Sequence, residues 1–314
     1  MMATQYKLLT FKGDKGKPTP GILVDNQVVN LSKIRKAPVD TTSTMALLEK
    51  WATSNRWLRK VATEVAAGKH KAACKPRSRT SLLPPLMYPG NIFCIASNYV
   101  AHRAEMGNKA PMPDKKINAP VFFLKTPRQV VVGEGAKINL PRTSTAIDWE
   151  SEVAVVIGKP AFWVKKKDAF KYVAGFTILN DMSVRGPSAA QVKTPQDEAF
   201  RRDRFRRKNW DGSTPMGPWI TPKEFVKDIY DQRIQLWLNG EQMQDGLSGD
   251  MWYKIEEQIA YLSQHLTLAP GDVITTGTPA GVGKGRGIFL KAGDKIVTTI
   301  GELGTLKTSF VKPK

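Results

Sequence analysis

Apolar residues in this chain fall into short runs, many of them β-branched, separated by long polar connections. YKLLTF (6–11), TPGILV (19–24) and QVVNLSKI (27–34) read as strands, the last two joined through the turn pair Asp25-Asn26. The period then changes. Within MALLEKWATSNRWLRKVATEVAAG (45–68), Leu48, Trp51 and Ala52, then Trp57, Val61 and Val65, recur at helical spacing. Thr42, Ser43 and Thr44 offer N-caps, and Gly68 a stop. A basic, proline-bearing stretch (69–90) follows, which places a domain boundary near residue 80. The expectation is a small β/α domain over 1–80 and a larger, β-rich α+β domain over 81–314.

In the larger part VFFLKT (121–126), SEVAVVIG (151–158), YVAGFTILND (172–181), IQLWLNGEQMQ (234–244), DVITTG (272–277) and DKIVTTI (294–300) read as strands. Asn239-Gly240 marks a two-residue hairpin. Ser248 or Asp250 offers a cap for a helix through WYKIEEQIAYLSQHL (252–266).

One run raises a chemical question. In IDWESEVAVVIG (147–158), Glu150 and Glu152 fall on one side of the strand with Ala154 and Val156, and both sides are apolar beyond Glu152. The acids therefore sit at the lip of a buried element, where close carboxylates repel unless a cation compensates. Lysine, arginine and a metal are all candidates. The plainer alternative is a solvent-facing pair at a frayed strand start. A second apolar run, VAGFTILNDMS, delivers a third acid, Asp181, at its end. Three carboxylates from two strand ends would suit a hard divalent cation, Mg²⁺, Mn²⁺ or Ca²⁺.

The composition is that of an ordinary globular protein, 41% hydrophobic and 24% charged. The first twenty residues hold no apolar core of signal-peptide length and no stretch approaches 18 apolar residues, so the expected location is the cytoplasm, with no membrane partner. Cys74 and Cys94 make neither a disulfide framework nor a metal-site spacing. A net charge of +20 permits a polyanion-binding protein, with RRDRFRRK (201–208) as its densest block. No helix-turn-helix, zinc finger or RNA-binding signature accompanies that block, and nucleic acid is not expected as a partner. Lys165–Lys167 reads as a solvated run. TGTPAGVGKGRG (276–287) fails as a phosphate loop, because Lys284 is followed by Gly285 and not by Ser or Thr.

Five segments, SNYVAHRAEMG (97–107), PVFFLKTP (120–127), IDWESEVAVVIG, GFTILNDMSVR and GDVITTGTPAGVG (271–283), occur in an order that resembles the fumarylacetoacetate hydrolase family. The resemblance covers roughly residues 85–310. It implies that family's mixed β-sandwich/roll, with a small N-terminal domain, and a homodimer. It implies Glu150, Glu152 and Asp181 as ligands of Mg²⁺ or Mn²⁺, with Ca²⁺ as a further candidate. Asp148 is given a supporting role and not a ligand's. His102 and Glu105 would form a dyad on a short lid helix, and the spacing i, i+3 makes them neighbours there. The carboxylate would fix the imidazole tautomer and raise its basicity. Lys208 is implied as the oxyanion or carboxylate contact, and Tyr99, Arg185 and Thr278 as substrate contacts. Several members carry glutamine three residues beyond the arginine, where this chain has Ser188, with Gln191 close by.

The activity so implied is hydrolysis of a C–C bond in an acylpyruvate or β-diketo acid, as in the catabolism of aromatic compounds. A metal-stabilised enolate would be the leaving group, and water would be activated by His102 and Glu105. The same site allows decarboxylation, isomerisation or hydration of an α-keto acid. The substrate expected is a small anionic keto acid, and the basic loops hint at a di-acid.

Overall fold

The structure is a computed structural model that describes residues 4–108, 110–186 and 193–314, with the backbone alone at Arg201. Ser188 and Gln191 lie outside the described residues. The architecture is a mixed, sheet-rich α+β fold with few helices.

The main sheet runs in the order Cys74–Pro76, Gln27–Asn30, Pro18–Val24, Lys7–Lys12, Thr214–Pro222, Val173–Asn180, Ser151–Ile157, Val273–Thr275, Ile92–Ile95 and Phe122–Lys125. It crosses from the N-terminal segment into the rest of the chain where Lys7–Lys12 pairs with Thr214–Pro222, Leu8 standing opposite Ile220, and Lys7–Lys12 also pairs with Leu82–Leu83. A second, five-stranded sheet runs Glu241–Leu247, Arg233–Leu238, Lys295–Ile300, Gly304–Val311 and Lys137–Asn139. Both turn pairs form as the sequence predicts. Asp25 and Asn26 have φ of 42° and 63°, and Asn239 and Gly240 have φ of 53° and 92°, the left-handed values a tight hairpin needs.

Every residue of Ser151–Ile157 is buried. Ala154 and Val156 join a core with Trp51, Leu58 and Val61 of the helix Trp51–Ala66. Val153, Val155 and Ile157 join another with Ile255, Ile259 and Leu262 of the helix Ile255–His265. Each valine and isoleucine among them contributes about 1.5–3 kcal/mol on burial, which fixes the strand's depth and register against slippage.

Two helical expectations are corrected. The 45–68 helix is two, Thr44–Glu49, capped by Ser43 accepting from Ala46 N (3.0 Å), and Trp51–Ala66. The second predicted helix starts at Ile255, not after Ser248 or Asp250, which form a short 3₁₀ turn. Asn98 holds the segment before it, accepting from Tyr253 N (2.8 Å) and donating to Tyr253 O (3.0 Å), while Glu257 accepts from Lys254 N (2.9 Å) and starts the helix.

Candidate metal centre and active site

Glu150 lies just outside the regular strand, between Ile147–Asp148 and Ser151–Ile157. Its backbone is clamped to the neighbouring strand end: Glu150 N donates to Asn180 Oδ1 (2.8 Å) and Glu150 O accepts from Asp181 N (2.8 Å). Glu152 follows within the strand, and Asp181 immediately follows Val173–Asn180. Glu150, Glu152 and Asp181 each offer a carboxylate oxygen within 4.8 Å of the others, and all three are buried. The solvent-facing alternative for the glutamate pair is thereby excluded.

Protein cations surround this cluster. Lys208 Nζ donates to Glu150 Oε2 (2.7 Å) and Asp181 Oδ2 (2.5 Å). Arg185 Nη2 lies 2.7 Å from Glu150 Oε1, and its Nε donates to Asp148 Oδ2 (2.6 Å). Asp148 also accepts from Gly283 N (2.6 Å) and Lys284 N (3.0 Å), so it ties Arg185 to the glycine-rich turn. Lys125 Nζ, fully buried, donates to Asp181 Oδ1 (2.7 Å), Ser213 O (3.0 Å) and Met182 O (3.3 Å).

Four carboxylates thus face three cations, and the imbalance falls on Glu152. Its Oε2 accepts from Gly277 N (2.7 Å), and no lysine or arginine among the described residues forms an ion pair with it. Burial, with Asp181 and Glu150 nearby, pushes the Glu152 carboxyl well above its ordinary value. Burial acts on Glu150 in the same direction, but Lys208 and Arg185 more than offset it and hold that carboxyl well below the usual range. A buried, oxygen-only donor set with one uncompensated negative charge fits a hard divalent cation.

The lid helix Val100–Glu105 stands over the cluster. His102 Nδ1 lies 2.8 Å from Glu105 Oε1, and Glu105 Oε2 accepts from Gly281 N (2.7 Å). With Nδ1–H donated to the carboxylate, Nε2 is the ring nitrogen left with a lone pair. A cavity of about 210 Å³ lies between this helix and Arg204–Lys208, its walls including His102, Arg103, Phe123, Glu150, Arg185 and Lys208.

The structure brings seven of the nine predicted residues together around that cluster and cavity: His102, Glu105, Glu150, Glu152, Asp181, Arg185 and Lys208. Two are engaged beside it. Tyr99 is buried with its hydroxyl donating to Ser248 O (3.4 Å). Thr278 Oγ1 donates to Ser151 O (2.8 Å) and accepts from Gln244 Nε2 (2.8 Å), which anchors the glycine-rich turn to the metal-site strand. Elsewhere, His70 pairs with Glu64 and His265 packs against Tyr261. Lys125, an isolated lysine inside the apolar run VFFLKT, joins the site without a local sequence signal for that role.

Fold and site together define a sheet-rich α+β protein with a buried acidic cluster, suited to a divalent cation, at converging strand ends beside a histidine-bearing helix. The chain belongs to the fumarylacetoacetate hydrolase family: the model of the fumarylacetoacetate (FAA) hydrolase C-terminal domain matches residues 91–311. It is 38% identical over 241 residues to the mitochondrial oxaloacetate tautomerase FAHD2A of Homo sapiens, covering 75% of this chain and 71% of that protein. The structure of a maleylpyruvate hydrolase from Sphingobium sp. SYK-6 in complex with manganese(II) and pyruvate is similar at a TM-score of 0.76 and 27% identity, covering 98% of this chain and 100% of that one. A 2-hydroxyhepta-2,4-diene-1,7-dioate isomerase structure from Mycobacterium marinum is similar at 0.70 and 25% identity, covering 98% of each. This is an enzyme family with tautomerase, isomerase and hydrolase members. Among the described residues no helix is long and apolar enough to cross a membrane.

Proposed function

We propose that the protein is a divalent-metal-dependent enzyme that interconverts the keto and enol forms of a small 2-oxo acid, with oxaloacetate as the leading substrate. The observation that carries this reading is one base, His102, oriented by Glu105 at 2.8 Å, in the wall of the same cavity as Glu150 of the acidic cluster. Glu150, Glu152 and Asp181 would hold Mg²⁺ or Mn²⁺, which supplies Lewis-acid polarisation of the substrate's oxo group.

The chain's own residues do the rest. His102 Nε2 takes a proton from the carbon beside the oxo group and delivers it to the oxo oxygen to give the enol, the reverse transfer restores the keto form, and Glu105 carries the countercharge of the imidazolium meanwhile. Lys208 and Arg185, fixed in the cavity wall by their ion pairs, place hydrogen-bond donors beside the developing oxyanion. The 36–38% identity to oxaloacetate tautomerases supports this choice of reaction.

Hydrolysis of an acylpyruvate is the second reading, favoured by the likeness to the maleylpyruvate hydrolase, because an oriented imidazole can equally deprotonate water. The test is to follow oxaloacetate enolisation and acylpyruvate cleavage in parallel, with Mn²⁺ and with EDTA. Metal-dependent enolisation without C–C cleavage supports the tautomerase. Cleavage without enolisation reverses the order of the two readings.

A further inference from the structure

We infer that Arg103, on the lid helix next to His102, is the specificity-determining residue that selects substrates with a second carboxylate at the end remote from the metal-binding end. The inference rests on the keto-acid reading above. It starts from where positive charge in the cavity is already committed. Lys208 and Arg185 both line it, but both are held by buried carboxylates at 2.5–2.7 Å.

Arg103 is different. It lines the same cavity, it is half-buried, and its Nε is shielded from solvent without any hydrogen-bond partner. Across the cavity Arg204 lies with its guanidinium over the Phe123 ring at 5.4 Å and makes no ion pair among the described residues. Of the four arginines that line the cavity, Arg185 is held by carboxylates and Arg207 Nε donates to Val184 O (3.4 Å), which leaves Arg103 and Arg204 beside an acidic lining residue, Glu150, that is already paired twice.

A buried guanidinium nitrogen without an acceptor is unfavourable, and a planar donor fork is matched by a carboxylate better than by any neutral group. The 210 Å³ available suits a short chain of a few carbons. Because Arg103 sits on the lid itself, capture of the distal carboxylate also favours the arrangement in which His102 faces the substrate. A substrate of the same length ending in an apolar group would leave Arg103 Nε unmet.

The test compares binding of two unreactive chelating ligands to the Mn²⁺-loaded protein by calorimetry: malate, and 2-hydroxybutyrate, which differs only in carrying a methyl group where malate has its distal carboxylate. The wild type should prefer malate, and Arg103→Gln should reduce that preference by about 10- to 100-fold. Arg103→Lys keeps the charge without the fork. It should reduce the preference by a smaller factor of at least about 3, and can be read if the glutamine variant does not fold. An unchanged malate preference in the folded variants overturns the inference. Oxaloacetate enolisation by the wild type is measured alongside. Its absence with malate preference retained and lost in Arg103→Gln would defeat the proposed reaction alone, while its presence with preference unaltered by the substitution would defeat only the role of Arg103.

Discussion

His102 and Glu105 are joined at 2.8 Å on one face of the lid helix, and the far oxygen of the same glutamate is held by Gly281 N at 2.7 Å. The carboxylate therefore performs two tasks, setting the imidazole tautomer and latching the lid to the glycine-rich turn. Replacing His102 by alanine is expected to lower kcat by about 10²- to 10⁴-fold. Neither metal-site carboxylates nor their cations are touched by that change, so the dissociation constant for Mn²⁺ should stay within about twofold of the wild type. Loss of Mn²⁺ affinity parallel to the loss of rate would show His102 to be part of the metal site and not a base.

Glu152 supplies a pH prediction. Its carboxyl titrates well above the ordinary value because burial, then Asp181 and Glu150, disfavour the charge. A carboxyl raised in the folded state binds a proton that the unfolded chain has released. Its contribution to stability is thus fully present below the unfolded value of about 4.3 and is lost as pH rises through the folded one. A divalent cation on these oxygens removes the penalty and expels the proton. Titration of Mn²⁺ in two buffers of different ionisation enthalpy should report proton release in that window, with affinity rising with pH. No release, with a flat affinity, would mean that Glu152 is already ionised without metal.

Much of this site is legible in the chain because it follows from period-two patterning and from where apolar runs stop. Glu152 and Asp181 sit at or beside the ends of strands that are buried on both faces, as the runs predict. Glu150 shows the boundary of that reasoning. The chain leaves strand geometry at Trp149 and Glu150, so alternation alone does not place its side chain, and the backbone bonds to Asn180 and Asp181 do. Lys125 escapes for a related reason: a lysine within an apolar run reads locally as an edge position, and only the folded chain shows Asp181 and two carbonyls converging on it. The pairing of Leu8 with Ile220 joins residues more than two hundred positions apart, which no local pattern encodes. The 252–266 helix is displaced because the Asn98 side chain captures the Tyr253 backbone, a tertiary contact that outweighs the local cap signals of Ser248 and Asp250.

Lys125 should be structural first and metal-tuning second. Its ammonium is fully buried with three oxygen partners, so Lys125→Met leaves part of the Asp181 charge uncompensated at a cost of about 3–5 kcal/mol. The site then carries one more net negative charge, and Mn²⁺ should raise the melting temperature of the variant by more than it raises that of the wild type. Thermal melts with EDTA and with Mn²⁺ provide the comparison. Equal melting temperatures of the two proteins in EDTA would show that Lys208 alone suffices for Asp181.

Gly281 links backbone geometry to the lid. Its φ is 103°, and a Cβ placed there would lie 2.0 Å from Met243 O, so alanine must move the turn whose amide holds Glu105. Gly287 is the control, since its φ of 71° is also left-handed but a Cβ there meets nothing within 4 Å. Gly287→Ala should cost about 1 kcal/mol of stability and little activity, whereas Gly281→Ala should cost about 1–3 kcal/mol in backbone strain alone and also loosen the lid. If the latch matters to catalysis, kcat/KM in Gly281→Ala must fall at temperatures well below its melting transition, where the fraction folded is unchanged. Normal kcat/KM under those conditions would assign the Glu105–Gly281 hydrogen bond to stability and leave orientation of His102 to Glu105 alone.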